Sequence, residues 1–158
     1  MINSKPKKRR NAVPMEPPLR NLEFIGNHEN HSILLGDFGD AKITAKGIFN
    51  LSGIVLCRKS TLEIFMDGSG LVSLNGHCKT LLIHRLSGDC TLDLTDLACR
   101  KVRCESATGK STILFGRTRV IEQLVLENEA YVRYPKRAVI HNYSISGNAR
   151  IEKIVEAA

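Results

Sequence analysis

Apolar positions along this chain recur as pairs on alternate residues. Leu62, Ile64, Gly68, Val72 and Leu74 are followed by Leu81, Ile83, Gly88, Leu92 and Leu94, and then by Val102, Cys104, Gly109, Ile113 and Phe115. Leu124, Leu126, Asn128, Val132 and Tyr134 continue the series, as do Tyr143, Ile145, Gly147, Ile151 and Lys153. Each unit reads as a short alternating strand, a turn at Gly or Asn, a second strand and a return. Alternation sends side chains to opposite faces, and Gly or Asn accepts the positive φ of a tight turn. The unit repeats every 19 to 21 residues, and no window carries a convincing helical period. Upstream, Gly39, Ile43, Ala45 and Gly47 reproduce the spacing of Gly68, Val72, Leu74 and Gly76, which predicts a first coil followed by an irregular stretch from Ile48 to Leu56.

A repeat of this length is too short for a propeller blade and lacks the helix of leucine-rich or ankyrin repeats. Stacked windings fit. The expectation is an all-β chain forming one parallel, right-handed β-helix, or β-solenoid, with coils of about twenty residues whose strands lie about 4.8 Å apart. An antiparallel meander or sandwich is the alternative for strands this short. Residues 1–20 read as a disordered basic, Pro-rich tail, since they hold Pro6, Pro14, Pro17 and Pro18 and the run Lys7-Lys8-Arg9-Arg10. Residues 21–158 read as the solenoid, with a first coil or cap over 21–60 and regular coils over 61–154.

The turns Asp67-Gly68-Ser69-Gly70-Leu71-Val72-Ser73-Leu74, Ser87-Gly88-Asp89-Cys90-Thr91-Leu92-Asp93-Leu94 and Ser144-Ile145-Ser146-Gly147-Asn148-Ala149-Arg150-Ile151 resemble the GIN-domain family of autotransporter adhesin heads. The resemblance spans residues 40–154 and implies a parallel β-helix without catalytic residues, in a family usually exported behind a signal. This chain shows no such signal and begins with a basic tail. The bactofilins, cytoplasmic β-helical polymers, are a second architectural resemblance, and it implies self-association.

Composition sharpens this picture at three points. With no Trp and only 5% aromatic residues, the core must be aliphatic and β-branched. No apolar run is long enough to cross a bilayer and no apolar stretch follows the early basic cluster, so no transmembrane segment and a cytoplasmic location are expected. Five cysteines, Cys57, Cys78, Cys90, Cys99 and Cys104, are an odd number without a CxxC pair, which points to reduced thiols rather than a disulfide framework or a common zinc site.

The net charge of +7 divides unevenly. Lys5, Lys7, Lys8, Arg9, Arg10 and Arg20 against the single acid Glu16 leave the first twenty residues at +5 and the body at +2. Within the body, placement decides. Windings of 21 residues superpose Cys57, Cys78 and Cys99, and beside them Arg58, Lys79 and Arg100; the same edge continues through Lys59, Lys101, Arg117, Arg119, Lys136 and Arg137. Acids fall near the opposite turn, at Asp67, Asp89, Glu105, Glu127 and Glu129. A basic stripe of this kind, with Lys7, Lys8, Arg9 and Arg10, is a candidate site for a polyanion such as nucleic acid, acidic glycan or an anionic membrane surface. Its bland counterpart is a solvated edge that blocks strand pairing. The cysteine column likewise has a plain reading as small apolar corners, and His77 and His84 are the only nearby hints of a metal.

Scattered aromatics argue against stacking of bases. Ala107-Thr108-Gly109-Lys110-Ser111-Thr112 imitates the end of a phosphate-binding loop, yet Cys104 stands where its first glycine belongs and no helix pattern follows. Asp93 aligns with Ser73 and Leu114, so no acid–base pair is visible, and no catalytic residue, cofactor, metal or small-molecule substrate is expected. The last coil, at Ile151, Ile154 and Val155, presents unpaired edges that suit association of the chain with itself as a homo-oligomer or filament.

Overall fold

A computed structural model describes residues 20–26, 30–35 and 39–154. Lys7, Lys8, Arg9, Arg10 and Val155 lie outside the described residues. The described chain is a parallel β-solenoid of about 7 turns, without helix. Its strands are β1 (Arg20–Ile25), β2 (Asn30–Leu35), β3 (Ala41–Ala107), β4 (Thr112–Leu126), β5 (Tyr131–Pro135), β6 (Val139–Ile140), β7 (Tyr143–Ile145) and β8 (Arg150–Ile154), and every pairing between them is parallel.

Three pairings per winding follow from β4, which meets β5 at Thr112–Leu114, β6 at Val120–Ile121 and β7 at Leu124–Leu126. Parallel strands need a crossover connection, and here the rest of the winding supplies it without any helix. Backbone groups are thereby satisfied by the winding above or below, and side chains stack in columns. Leu92, Ile113, Val132 and Ile151 form one such column, Val102, Ile121 and Ile140 a second, Cys104, Leu124 and Tyr143 a third. Leu62, Ile64, Val72, Leu74, Leu81, Ile83, Leu92, Leu94, Ile113, Leu124 and Val132 are all fully buried, as the alternating pattern predicts.

One corner of the coil is a stack of turns. Gly47, Gly68, Gly88, Gly109, Asn128 and Gly147 all have positive φ, and Asn128 at 60° is the only described non-glycine residue that does. Lys110 N donates to Gly88 O at 2.8 Å, Glu129 N to Gly109 O at 2.9 Å and Asn148 N to Asn128 O at 2.6 Å, so each turn hangs from the one before it. At Gly88 the requirement for glycine is double: φ is 92°, and a Cβ there would lie 2.3 Å from Gly68 O. Asn128 occupies the less crowded left-handed region and uses its amide to donate to Thr108 Oγ1 at 2.5 Å.

Two sequence expectations change. Residues 39–47 belong one strand earlier in the coil than their glycine spacing suggests, because a Cβ on Gly68 would meet Gly47, while one on Gly76 would meet Val55. The stretch from Ile48 to Leu56 is not irregular: Asn50–Val55 pairs residue by residue with Asn30–Leu35. Further towards the N-terminus, Arg20–Ile25 pairs with Ala41–Lys46 at a spacing of 21. Among the described residues no helix is long and apolar enough to cross a membrane.

The stacked corner yields a test. Gly88→Ala should lower stability by about 2 kcal/mol or more in urea unfolding, through both strain and contact with the turn above. Gly147→Asn, at a φ of 68° close to that of Asn128, should cost much less. Equal losses would show that backbone crowding does not hold this corner.

Candidate anion-binding groove

Spacing between windings contracts along the rod. Pairs are 21 apart at Thr91–Leu94 with Thr112–Phe115, but 19 apart from Ala98 with Arg117 onward through most later pairs. The loss falls at one corner, where Thr95, Asp96 and Leu97 in one winding face Gly116 alone in the next. Gly116 fits because it has no side chain; a Cβ would lie 2.0 Å from Thr95 O. This step in the wall coincides with two concave sites that share Ala98, Arg117 and Arg119.

The first concavity, of about 470 Å³, is lined by Arg58, Lys59, His77, Arg100, Arg117 and Arg119, together with Cys78 and Cys99. The second, of about 440 Å³, adds Gly116, Thr118, Pro135 and Arg137. Six cations thus surround a continuous groove that no carboxylate lines. Among the described residues none of Arg58, Lys59, Arg100, Arg117, Arg119 or Arg137 pairs with an acid. Arg58 Nε donates to His77 Nε2 at 2.7 Å, which fixes the guanidinium at the rim and leaves its other N–H groups available. Thr118, which lines the second site, has its Oγ1 buried without a hydrogen-bond partner.

Of the sequence-predicted stripe, Arg58, Arg100, Arg117, Arg119 and Arg137 come together here. Lys79 and Lys136 are exposed but line neither concavity. Lys101, on the same predicted edge, is engaged by Glu122 at 3.6 Å. Sequence reasoning missed the contact of His77 with Arg58, because the pair is 19 residues apart where a 21-residue winding was assumed.

Charge on the glycine corner is mixed. Asp67, Asp89, Glu127 and Glu129 flank its turns, together with Lys46 and Lys110. Glu105 has a different task. It accepts from His84 Nδ1 at 3.0 Å while Glu63 takes His84 Nε2 at 2.5 Å, forming a three-winding ladder at spacings of 21. With carboxylates at both ring nitrogens, the imidazolium is favoured and the His84 pKa is raised above its ordinary value, chiefly by Glu63; partial burial opposes the shift and Glu105 adds to it. Among the described residues no three His, Cys, Asp or Glu side chains are grouped to hold a metal ion.

At the C-terminal end, Tyr134, Ile140, Tyr143, Ile145 and Ile151 enclose an apolar depression of about 320 Å³. These residues continue the core columns, and no described winding covers them, so Tyr143 is 65% exposed. Ile151 packs partly against the core, and Ile154, paired with Pro135, is half-buried at the same edge. No family model, curated protein or solved structure matches the chain.

The His84 ladder sets a pH dependence. A histidine whose folded pKa is raised stabilises the fold fully below its unfolded value and loses that contribution as pH rises through the folded value. The stability advantage of the native chain over His84→Gln should therefore be larger near pH ~5.5 than near pH ~8.5. Urea midpoints at the two pH values measure it, and an unchanged difference would remove the ladder from the stability of the wall.

Proposed function

We propose that this protein is a non-catalytic β-solenoid module whose basic groove binds a polyanion. One observation carries the reading: Arg58, Lys59, Arg100, Arg117, Arg119 and Arg137 surround contiguous concavities without a lining carboxylate. Charges held on a rigid wall gain more from a phosphate or sulfate chain than the same charges scattered in solvent, because little side-chain order is lost on binding. Affinity then comes from counterion release and falls steeply with salt. Sequence-independent binding is the expected mode, since no aromatic side chain lines either concavity for bases to stack upon. Five buried cysteines with no disulfide among them suit a reducing compartment such as the cytoplasm. Lys7, Lys8, Arg9 and Arg10 would add attraction of the same sign.

A second reading, self-association, draws on the end of the rod. Strands β6, β7 and β8 are paired on one side only among the described residues, and the apolar depression beside them is the interior of the last winding. A second copy that added its own strands would extend the columns and cover Tyr143, Ile145 and Ile151. The resemblance to GIN-domain and bactofilin repeats agrees with this structural use.

Binding of the full chain to heparin and to random-sequence duplex DNA tests the first reading. Arg100→Gln, Arg117→Gln and Arg119→Gln together should weaken binding at low salt by at least about tenfold and flatten its salt dependence, each phosphate contact accounting for a slope of about 0.9. The N-terminal basic run is unchanged in that variant, so retention at native strength would reject the groove. For the second reading, sedimentation should show mass rising with concentration, and Tyr143→Lys should return the chain to monomer; a monomeric native chain at high concentration would reject it.

A further inference from the structure

Two cysteines that line the first concavity form a pair that neither functional reading uses. Cys78 Sγ and Cys99 Sγ are 3.5 Å apart on neighbouring windings, 21 residues apart in sequence. Adjacent parallel strands hold their backbones about 4.8 Å apart. That backbone spacing falls inside the separation a disulfide tolerates. Both residues line the concavity, although they are only 3% and 2% exposed. Arg58, Lys59, Arg100, Arg117 and Arg119 line the same concavity.

We propose that Cys78 and Cys99 are a reversible dithiol–disulfide site, oxidised by a small hydroperoxide entering through the basic groove. Cys78 is the attacking sulfur and Cys99 the resolving one. The Cys99 thiol holds its proton well above the ordinary range, first through its hydrogen bond with the Cys78 sulfur and then through burial, which suits a resolving sulfur that gives up its proton only at the second step. Two other thiols offer a contrast. Cys90 and Cys104 line none of the concavities described, and burial pushes them up to about 11 and about 12.

The chemistry closes on these atoms. Cys78, having released its proton, attacks one peroxide oxygen; the O–O bond breaks, Cys78 becomes a sulfenic acid, and the departing hydroxide takes up a proton to leave as water. Cys99 sulfur then attacks Cys78 sulfur, the S–O bond breaks, and the second hydroxide leaves with the Cys99 proton as water. One hydrogen peroxide is reduced to two waters while two thiols become one disulfide. A thiol reductant reverses the change. This site does not depend on which anion, if any, occupies the groove.

The test uses the reduced full chain and stoichiometric hydrogen peroxide. Intact mass should fall by two hydrogens, peptide mapping should place the link between Cys78 and Cys99, and dithiothreitol should restore the mass. Cys78 should react at least about tenfold faster than Cys90 or Cys104 in the same sample. Cys99→Ser should stop at one added oxygen on Cys78, trapped by dimedone, whereas Cys78→Ser should form no disulfide. The native-chain measurement stands without the variants, should either fail to fold. Absence of the disulfide in the folded native chain, or a link through Cys57 instead of Cys99, would overturn the proposal.

Discussion

Hydrogen bonding between successive windings is the constraint on which everything else in this molecule rests. No winding of about twenty residues can bury its apolar face or satisfy its own backbone, because its three strand runs find partners only above and below. The side-chain columns are a consequence. Leu92, Ile113, Val132 and Ile151 superpose because their backbones must, and the apolar interior forms as the residues of one alternate set are carried along the axis together. The glycine corner enforces the same registry from outside. At Gly88 the neighbouring turn is so close that no side chain fits, whereas at Asn128 a non-glycine residue takes the positive φ of the same corner.

A wall built in this way leaves few places for a concavity, and the groove occurs where the constraint slackens. Removing two residues between Leu94 and Ala98 offsets one winding against the next while the strands on either side stay paired. Arg117 and Arg119 follow directly after the contraction and Arg100 faces them from the winding before, so cations that would otherwise project separately converge on one recess. Convergence without carboxylates is electrostatically costly in the empty state and is relieved by an anion. Lys101 shows the other outcome, its charge answered across one winding by Glu122.

The solenoid itself was legible because its two signals, alternation and a recurrent Gly or Asn, are local and repeat with nearly constant spacing. Register was less legible wherever one coil carries more than one glycine corner. Gly39 to Gly47 matches Gly68 to Gly76 in spacing, yet Gly47 stacks on Gly68, since spacing alone cannot say which corner a glycine serves. The basic stripe could be read as a set of residues but not as a recess. Its recess coincides with a contraction from 21 to 19 that is visible only in strand pairing, and the contact of His77 with Arg58 was hidden because it runs diagonally, two residues off the 21-residue register that sets Gly76 over Val55. Glu63, Glu105 and His84 obeyed the 21-residue rule throughout, yet sequence reasoning assigned Glu105 to an acidic edge because polarity along a column carries no mark of its partner.

Position in the coil also decides what each cysteine can do. All five are buried, and composition treats them alike as small apolar residues. Cys90 and Cys104 line none of the concavities, although the register shifts on either side of Cys104. Cys78 and Cys99 line the concavity beside the corner where the winding shortens. The proposed anion site and the proposed dithiol share one place in the fold: the winding shortens beside Gly116, and the arginines, Cys78 and Cys99 line the concavities at that corner.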